Sequence, residues 1–252
     1  MKRNVGAVIL DFDGTIAETE RFGQRVAYNR AFEDLGLDWT WDEDLYADLL
    51  SIAGGKERLR YYLARYRPEL LDEAVREGLI VELHRAKIRN FATIAPHIPF
   101  RPGVLRLVRE AHAAGVRVAI ATTASKAGVE ALLQQDASLP PMIDVIAANE
   151  SVERKKPAPD VYLWAFEQLR LDASRCVAIE DSSVGLRAAL GAALATIVTV
   201  SDYTTGDDFT GATSVLSDLG ERIEPARVFA GIAPLEGIVD LAFLEAVLMV
   251  ST

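Results

Sequence analysis

Cysteine is almost absent from this chain. A single thiol, Cys176, excludes an internal disulfide, so the fold must rest on its core alone, which suits a reducing setting. No apolar run reaches the roughly 18–20 residues of a membrane-spanning helix. Met1-Lys2-Arg3 resembles the start of a signal peptide, but Asp11 and Asp13 cut the following apolar run far too early. Positive charge is also scarce: 27 Lys and Arg against 37 Asp and Glu leave a net charge of −10, which argues against a nucleic-acid or anionic-membrane partner. There is no internal repeat, no low-complexity segment, and no G-x-G-x-x-G after the first strand, which disfavours a dinucleotide-binding module. These absences leave a soluble protein. It is expected to be a monomer in the cytoplasm, or in the plastid stroma if the source is a photosynthetic eukaryote.

What is there begins with Val8-Ile9-Leu10-Asp11-Phe12-Asp13-Gly14-Thr15. A short apolar run bounded by a turn signal is the pattern of a fully buried parallel strand. In open α/β sheets ligands bind beyond the carboxyl ends of the strands, where these two carboxylates fall. Strand periodicity puts Asp11 and Asp13 on one side, where their charges repel. That arrangement suits a hard cation between them, or one Asp as nucleophile with the other moving a proton. The plain alternative is a solvated Asp-Gly turn.

The 252 residues, half of them apolar, can bury a large core domain plus a smaller one. Ala27, Ala31, Phe32 and Leu35 recur at helical spacing up to Gly36, and no convincing strand follows before about residue 98. An all-helical insert placed directly after the first strand predicts a separate lid over residues 17–98. The core, residues 1–16 and 99–252, resumes at Arg101-Pro102-Gly103, with proline expected in the first turn of a helix. Strands are predicted at 116–121, 144–147, 177–181, 195–200 and 214–216, alternating with helices, and a docked terminal helix at 241–250. This alternation predicts right-handed crossovers and a doubly wound parallel sheet. Cys176 reads as a packed thiol at a strand start.

Four predicted strand ends carry polar groups: Asp11 and Asp13, Thr122, Lys156 beyond the third strand, and Glu180 with Asp181. Each alone has a dull reading, as a helix cap or a solvated loop lysine. Together on one sheet edge they fit phosphoryl transfer: an aspartate nucleophile, a divalent ion, donors for the transferring oxygens and a second aspartate for protons.

At these residues the chain resembles the haloacid dehalogenase superfamily, through Asp11-Phe12-Asp13-Gly14-Thr15, the Thr122 strand end, Lys156-Pro157-Ala158-Pro159-Asp160 and Ile179-Glu180-Asp181-Ser182-Ser183-Val184-Gly185-Leu186. The resemblance implies a Rossmann-like core with an α-helical cap. It also implies Asp11 as nucleophile, Asp13 as acid/base, and Thr122 and Lys156 on the phosphate. Mg²⁺ is implied on the Asp11 carboxylate, the Asp13 carbonyl and Asp181, with Glu180 a direct or water-mediated ligand. Ala17-Glu18-Thr19-Glu20, Gly36-Leu37-Asp38-Trp39, Gly54-Gly55-Lys56-Glu57-Arg58 and His84-Arg85-Ala86-Lys87 are similar to the CbbY-like branch. That branch comprises sugar-bisphosphate phosphatases, and the implied substrate is xylulose-1,5-bisphosphate, an inhibitor of Rubisco. The substrate contacts then expected are Glu20, Tyr46, Gly55, Lys56, Arg58, His84 and Lys87 in the cap, with Thr123 and Ser125 in the core. A lid carrying Lys56, Arg58, Arg85 and Lys87 could grip a second phosphate, although each could equally be an ordinary surface cation.

Phe22-Gly23-Gln24 stands where relatives often carry a histidine, which weakens a β-phosphoglucomutase reading. A phosphoglycolate-type phosphatase is the other alternative within the superfamily. A phospho-aspartate signalling receiver is disfavoured by the helical insert.

Overall fold

The computed structural model describes residues 4–52, 54–69 and 73–250; Met1-Lys2-Arg3, with its leader-like charge, lies outside them. The chain forms two compact units, Met1–Glu18 with Pro99–Thr252, and Thr19–Ile98. No helix among the described residues is long and apolar enough to cross a membrane.

The first unit is a seven-stranded sheet. Its strands are β1 (Ala7–Leu10), β2 (Arg117–Ala121), β3 (Val145–Ala147), β4 (Cys176–Glu180), β5 (Ala195–Thr199), β6 (Ser214–Leu216) and β7 (Val228–Gly231). Their order is β3-β2-β1-β4-β5-β6-β7. All neighbours pair in parallel except β6 and β7. The central strand β1 is buried on both faces, which is why it reads as an unbroken apolar run. The sequence pattern missed β7: its four residues are all exposed, so neither alternation nor burial marks them.

Strand periodicity divides the core into two layers. On one face Ala7, Ile9, Ala119, Ala121 and Ala178 meet Val161, Tyr162, Ala165, Ala188 and Ala189 of α7 (Asp160–Leu169) and α8 (Ser183–Gly191). On the other, α5 (Val104–Ala113) packs on β2, and α9 (Leu241–Val250) packs on β4 and β5. α9 buries Phe243, Leu244, Val247 and Leu248, as a docked terminal helix should. Cys176 is fully buried at the first position of β4, and that burial pushes its thiol up to about 12, so it packs and does not react.

Proline does not open α5. Gly103 occupies the N-cap at φ 81°, and Pro102 precedes the helix. The buried face of α5 is Val104, Leu107, Val108 and Ala111, not the face carrying Leu105. In α7 the fully buried aromatic is Tyr162, whereas Trp164 is only partly covered.

The second unit is helical: α1 (Arg25–Asp34), entered through a π-helical turn at Glu20–Gln24, then α2 (Glu43–Leu50), α3 (Gly55–Tyr66) and α4 (Glu73–Ile94). Its core is aromatic. Trp41 is fully buried, with ring centroids 4.5 Å from Tyr28 and 5.1 Å from both Phe32 and Tyr62. Asn29 fixes the Trp41 backbone from both sides, accepting from its N–H (2.8 Å) and donating to its carbonyl (2.9 Å). The next residue, Asp42, caps α2 by accepting from the Leu45 N–H at 2.8 Å. Burial and ring contacts of this kind make Trp41→Ala cost about 3–5 kcal/mol. Urea denaturation followed by circular dichroism should show that loss as a lower midpoint.

Candidate active site

Because β1, β2, β3 and β4 run parallel, the residues after their last positions share one sheet edge. Asp11 follows β1 directly, and its N–H donates to the Ile179 carbonyl of β4 at 2.9 Å, carrying the ladder one residue further. The Asp11 carboxylate therefore lies beside Glu180, the last residue of β4, and Asp181, the first beyond it. Three oxygens, one each from Asp11, Glu180 and Asp181, lie within 4.8 Å of one another, and all three residues are buried.

Lys156 holds this cluster. Its buried ammonium donates to Asp11 Oδ1 at 2.6 Å, to Glu180 Oε1 at 2.6 Å and to the Ala121 carbonyl at the end of β2 at 2.9 Å. Burial alone would lower the lysine pKa; the charges of Asp11 and Glu180 outweigh it and hold the ammonium above its ordinary range. The same burial raises Asp11 to about 7, against the pull of Lys156 and with repulsion from Glu180 and Asp13. Burial, then the charges of Asp11 and Glu180, push Asp181 well above the usual carboxylate range, although Ser201 donates to its Oδ2 at 2.7 Å.

With all three carboxylates ionised, the Lys156 ammonium would offset one negative charge and a divalent cation the other two. Glu180 Oε2 is buried and has no hydrogen-bond partner. An all-oxygen donor set with an unsatisfied carboxylate oxygen fits a hard cation such as Mg²⁺. Asp13 is different. It lies partly exposed in the turn, in a bridge with Ala17, and its carboxylate is outside the cluster. The strand ends at Leu10, so both aspartates lie in the turn beyond it, where the Asp13 charge still acts on Asp11.

Thr122 is buried after β2, and its Oγ1 accepts from the Ala124 N–H at 2.9 Å, closing the turn into α6 (Lys126–Leu133). Thr123 is exposed beside it. Ser125 is the N-cap of α6, accepting from the Gly128 N–H at 3.2 Å, so its oxygen already has a structural task.

Two glycines are required by the carboxylates. A Cβ on Gly14, which adopts φ 80°, would stand 2.1 Å from Asp181 Oδ2, and one on Gly185 would stand 1.9 Å from Glu180 Oε2. Sequence reasoning missed Tyr162, whose hydroxyl donates to Glu180 Oε1, and Ser201 on Asp181. No local motif marks either; a tyrosine two residues past the Pro159-Asp160 helix start was the one available signal.

In the second unit the expected substrate residues form their own network. The Tyr46 hydroxyl donates to Glu20 Oε2, and Arg58 donates to the Leu49 carbonyl (3.0 Å) and the Tyr46 hydroxyl (3.2 Å). Arg58 is only 9% exposed, so it is built into the unit and is no surface cation. Gly55 opens α3, and its carbonyl accepts from the Tyr28 hydroxyl at 3.2 Å. Lys87 lies 5.4 Å from the Tyr28 and Phe91 ring centroids. Burial, then the charges of Lys87 and Lys56, lower the His84 pKa, while Lys56 and Arg85 are exposed.

A family model described as haloacid dehalogenase-like hydrolase matches residues 5–193. The chain belongs to that family. It is 44% identical over 223 residues to the plasmid-encoded protein CbbY of Cupriavidus necator, covering 87% of each chain. It is also 39% identical to a CBBY-like protein of Arabidopsis thaliana, covering 86% of this chain and 70% of the relative. Among solved structures, CbbY from Rhodobacter sphaeroides in complex with phosphate is 41% identical, with a TM-score of 0.77 over 85% of this chain and 94% of the other. A mutant of the same protein in complex with xylulose-1,5-bisphosphate is also 41% identical, with a TM-score of 0.78 over 86% and 96%. The chain is thus a phosphatase of the haloacid dehalogenase-like hydrolases, related to CbbY.

Removing the ammonium should leave buried Asp11 and Glu180 without their ion-pair partner. Lys156→Met is expected to destabilise the metal-free protein by about 3–5 kcal/mol. The check is urea denaturation in the presence of a chelator.

Proposed function

We propose that the chain is a Mg²⁺-dependent phosphatase that removes one phosphate from a small sugar bisphosphate, xylulose-1,5-bisphosphate first among them, and so clears an inhibitor of Rubisco. The observation that carries this reading is the relative at 41% identity whose structure holds that sugar bisphosphate. The buried Lys156–carboxylate cluster supports the chemistry.

A divalent cation bound by Asp11, Glu180 and Asp181 would neutralise charge that otherwise repels a phosphate. Lys156 orients Asp11 through Oδ1, which leaves Oδ2 as the attacking oxygen. In the proposed reaction the Asp11 oxygen forms a bond to phosphorus as the phosphorus–oxygen bond to the sugar breaks. The departing alkoxide takes a proton from Asp13, which lies two residues beyond Asp11 in the turn after β1. Asp13 then accepts a proton from water. The hydroxyl attacks phosphorus, the acyl phosphate bond breaks, and inorganic phosphate leaves with Asp11 restored. Thr122, beside this edge, is proposed to steady the phosphoryl oxygens with its hydroxyl proton. Recognition of the second phosphate is assigned to cations of the helical unit, Lys56 first because it is exposed.

Asp11→Asn should abolish turnover and leave the circular dichroism spectrum unchanged; normal hydrolysis by that mutant would rule out the aspartyl intermediate. Phosphate release with Mg²⁺ is to be compared across xylulose-1,5-bisphosphate, ribulose-1,5-bisphosphate, β-glucose-1-phosphate and 2-phosphoglycolate. The expected result is a kcat/KM at least tenfold higher for the first, and a chelator should remove it. A flat profile would refute the assigned substrate while leaving the phosphatase core in place.

A further inference from the structure

Arg101 is nearly fully buried, at 7% exposed, and lies two residues after the chain re-enters the first unit. Its guanidinium makes no hydrogen bond to the carboxylate cluster, although its charge favours ionised Asp181. Instead it gathers backbone oxygens from three separate places. Nη1 donates to the Gly14 carbonyl and, at 3.3 Å, to that of Thr199; Nη2 donates to Val200 (2.7 Å) and Ser217 (2.6 Å). Nη1 also lies 3.2 Å from Glu18 Oε1, and the Arg101 N–H donates to the Ile16 carbonyl at 2.9 Å. Buried carbonyls at strand ends need donors, and only a planar fork with five N–H groups reaches this many at once.

The bonds converge on one carboxylate. Gly14 abuts Asp181, since a Cβ there would meet both Asp181 Oδ2 (2.1 Å) and Ser201 Cβ (3.4 Å). The Thr199 and Val200 carbonyls lead directly to Ser201, which donates to Asp181 Oδ2. Arg101 thus ties the Asp11–Gly14 turn on one side of Asp181 to the end of β5 on the other. We propose that Arg101 is a positioning residue for the reaction: it sets the spacing between the nucleophile turn and Asp181, and hence the affinity for the divalent cation, without touching substrate. The proposal rests on reading the three-carboxylate cluster as the cation site.

The test compares wild type, Arg101→Lys and Glu18→Gln, each checked for folding by circular dichroism. Mg²⁺ affinity is read by calorimetry and by the rise in Tm with Mg²⁺, alongside kcat and KM. Lysine keeps the charge but cannot span the carbonyls. Arg101→Lys should therefore raise the Mg²⁺ dissociation constant at least tenfold, with kcat largely recovered at saturating Mg²⁺ and KM for substrate nearly unchanged. Glu18→Gln, at a side chain 21% exposed, should raise it about threefold, and it decides the matter if Arg101→Lys fails to fold. A lower Tm with unaltered Mg²⁺ affinity in these variants would show a purely structural role and overturn the proposal. Wild type that binds no Mg²⁺, with Asp181→Asn indistinguishable from it in Tm, would overturn the cation site and the proposal together.

Discussion

One ammonium group decides how the catalytic edge of the sheet can exist. Without Lys156, β1 and β4 would bring buried carboxylates together with nothing between them, and the cost would be several kcal/mol per uncompensated ion. With it, Asp11 and Glu180 accept from the same nitrogen, and the carbonyl at the end of β2 accepts as well. Three adjacent strands are therefore registered at their chemically active ends by one side chain. Tyr162 adds a donor to Glu180 from α7, and its ring lies 5.2 Å from the same ammonium. The remaining negative charge is left for a cation.

The parts of this arrangement that could be read from the sequence are those written as local text. The central strands are continuous apolar runs because both their faces are covered, and each ends in the polar residues that form the edge. Asp11, Thr122, Glu180 and Asp181 were legible for that reason, and Lys156 through the Lys156-Pro157-Ala158-Pro159-Asp160 stretch that leads into α7. β7 was not, because an exposed edge strand of four residues carries no burial pattern. Tyr162, Ser201 and Arg101 were not legible either. Their side-chain partners lie 18, 20 and 83 or more residues away, so no spacing rule connects them. Arg101 in particular read as the opening of a helix; the structure gives that opening to Gly103 and spends the arginine on carbonyls.

The helical unit shows a different balance between pattern and packing. Its helices were visible as far as their apolar spacing, but its core is a stack of rings around Trp41 whose members come from α1, α2, α3 and the segment between α1 and α2. Arg58 illustrates how a motif can hide a structural duty. Residues 54–58 look like a cationic loop, yet the first residue of α3 is Gly55, and Arg58 turns inward to the Leu49 carbonyl and Tyr46. Its charge steadies the Tyr46–Glu20 pair, in which burial and the Glu20 charge hold the phenol well above its ordinary range.

The strand order has a consequence for how the protein is made. β1 precedes the other strands in the chain and lies inside the sheet, but its neighbours begin at Arg117 and Cys176. β1 must therefore wait, unpaired, until the whole helical unit and then β2 have left the ribosome. The helical unit, whose contacts are made within its own stretch of chain, can close in the meantime. β4 then pairs with the open edge of β1, and β5 adds to β4 afterwards. β1 is thus the strand exposed longest before it pairs, and the arrival of β4, which also brings Glu180, covers its second edge and assembles the carboxylate cluster.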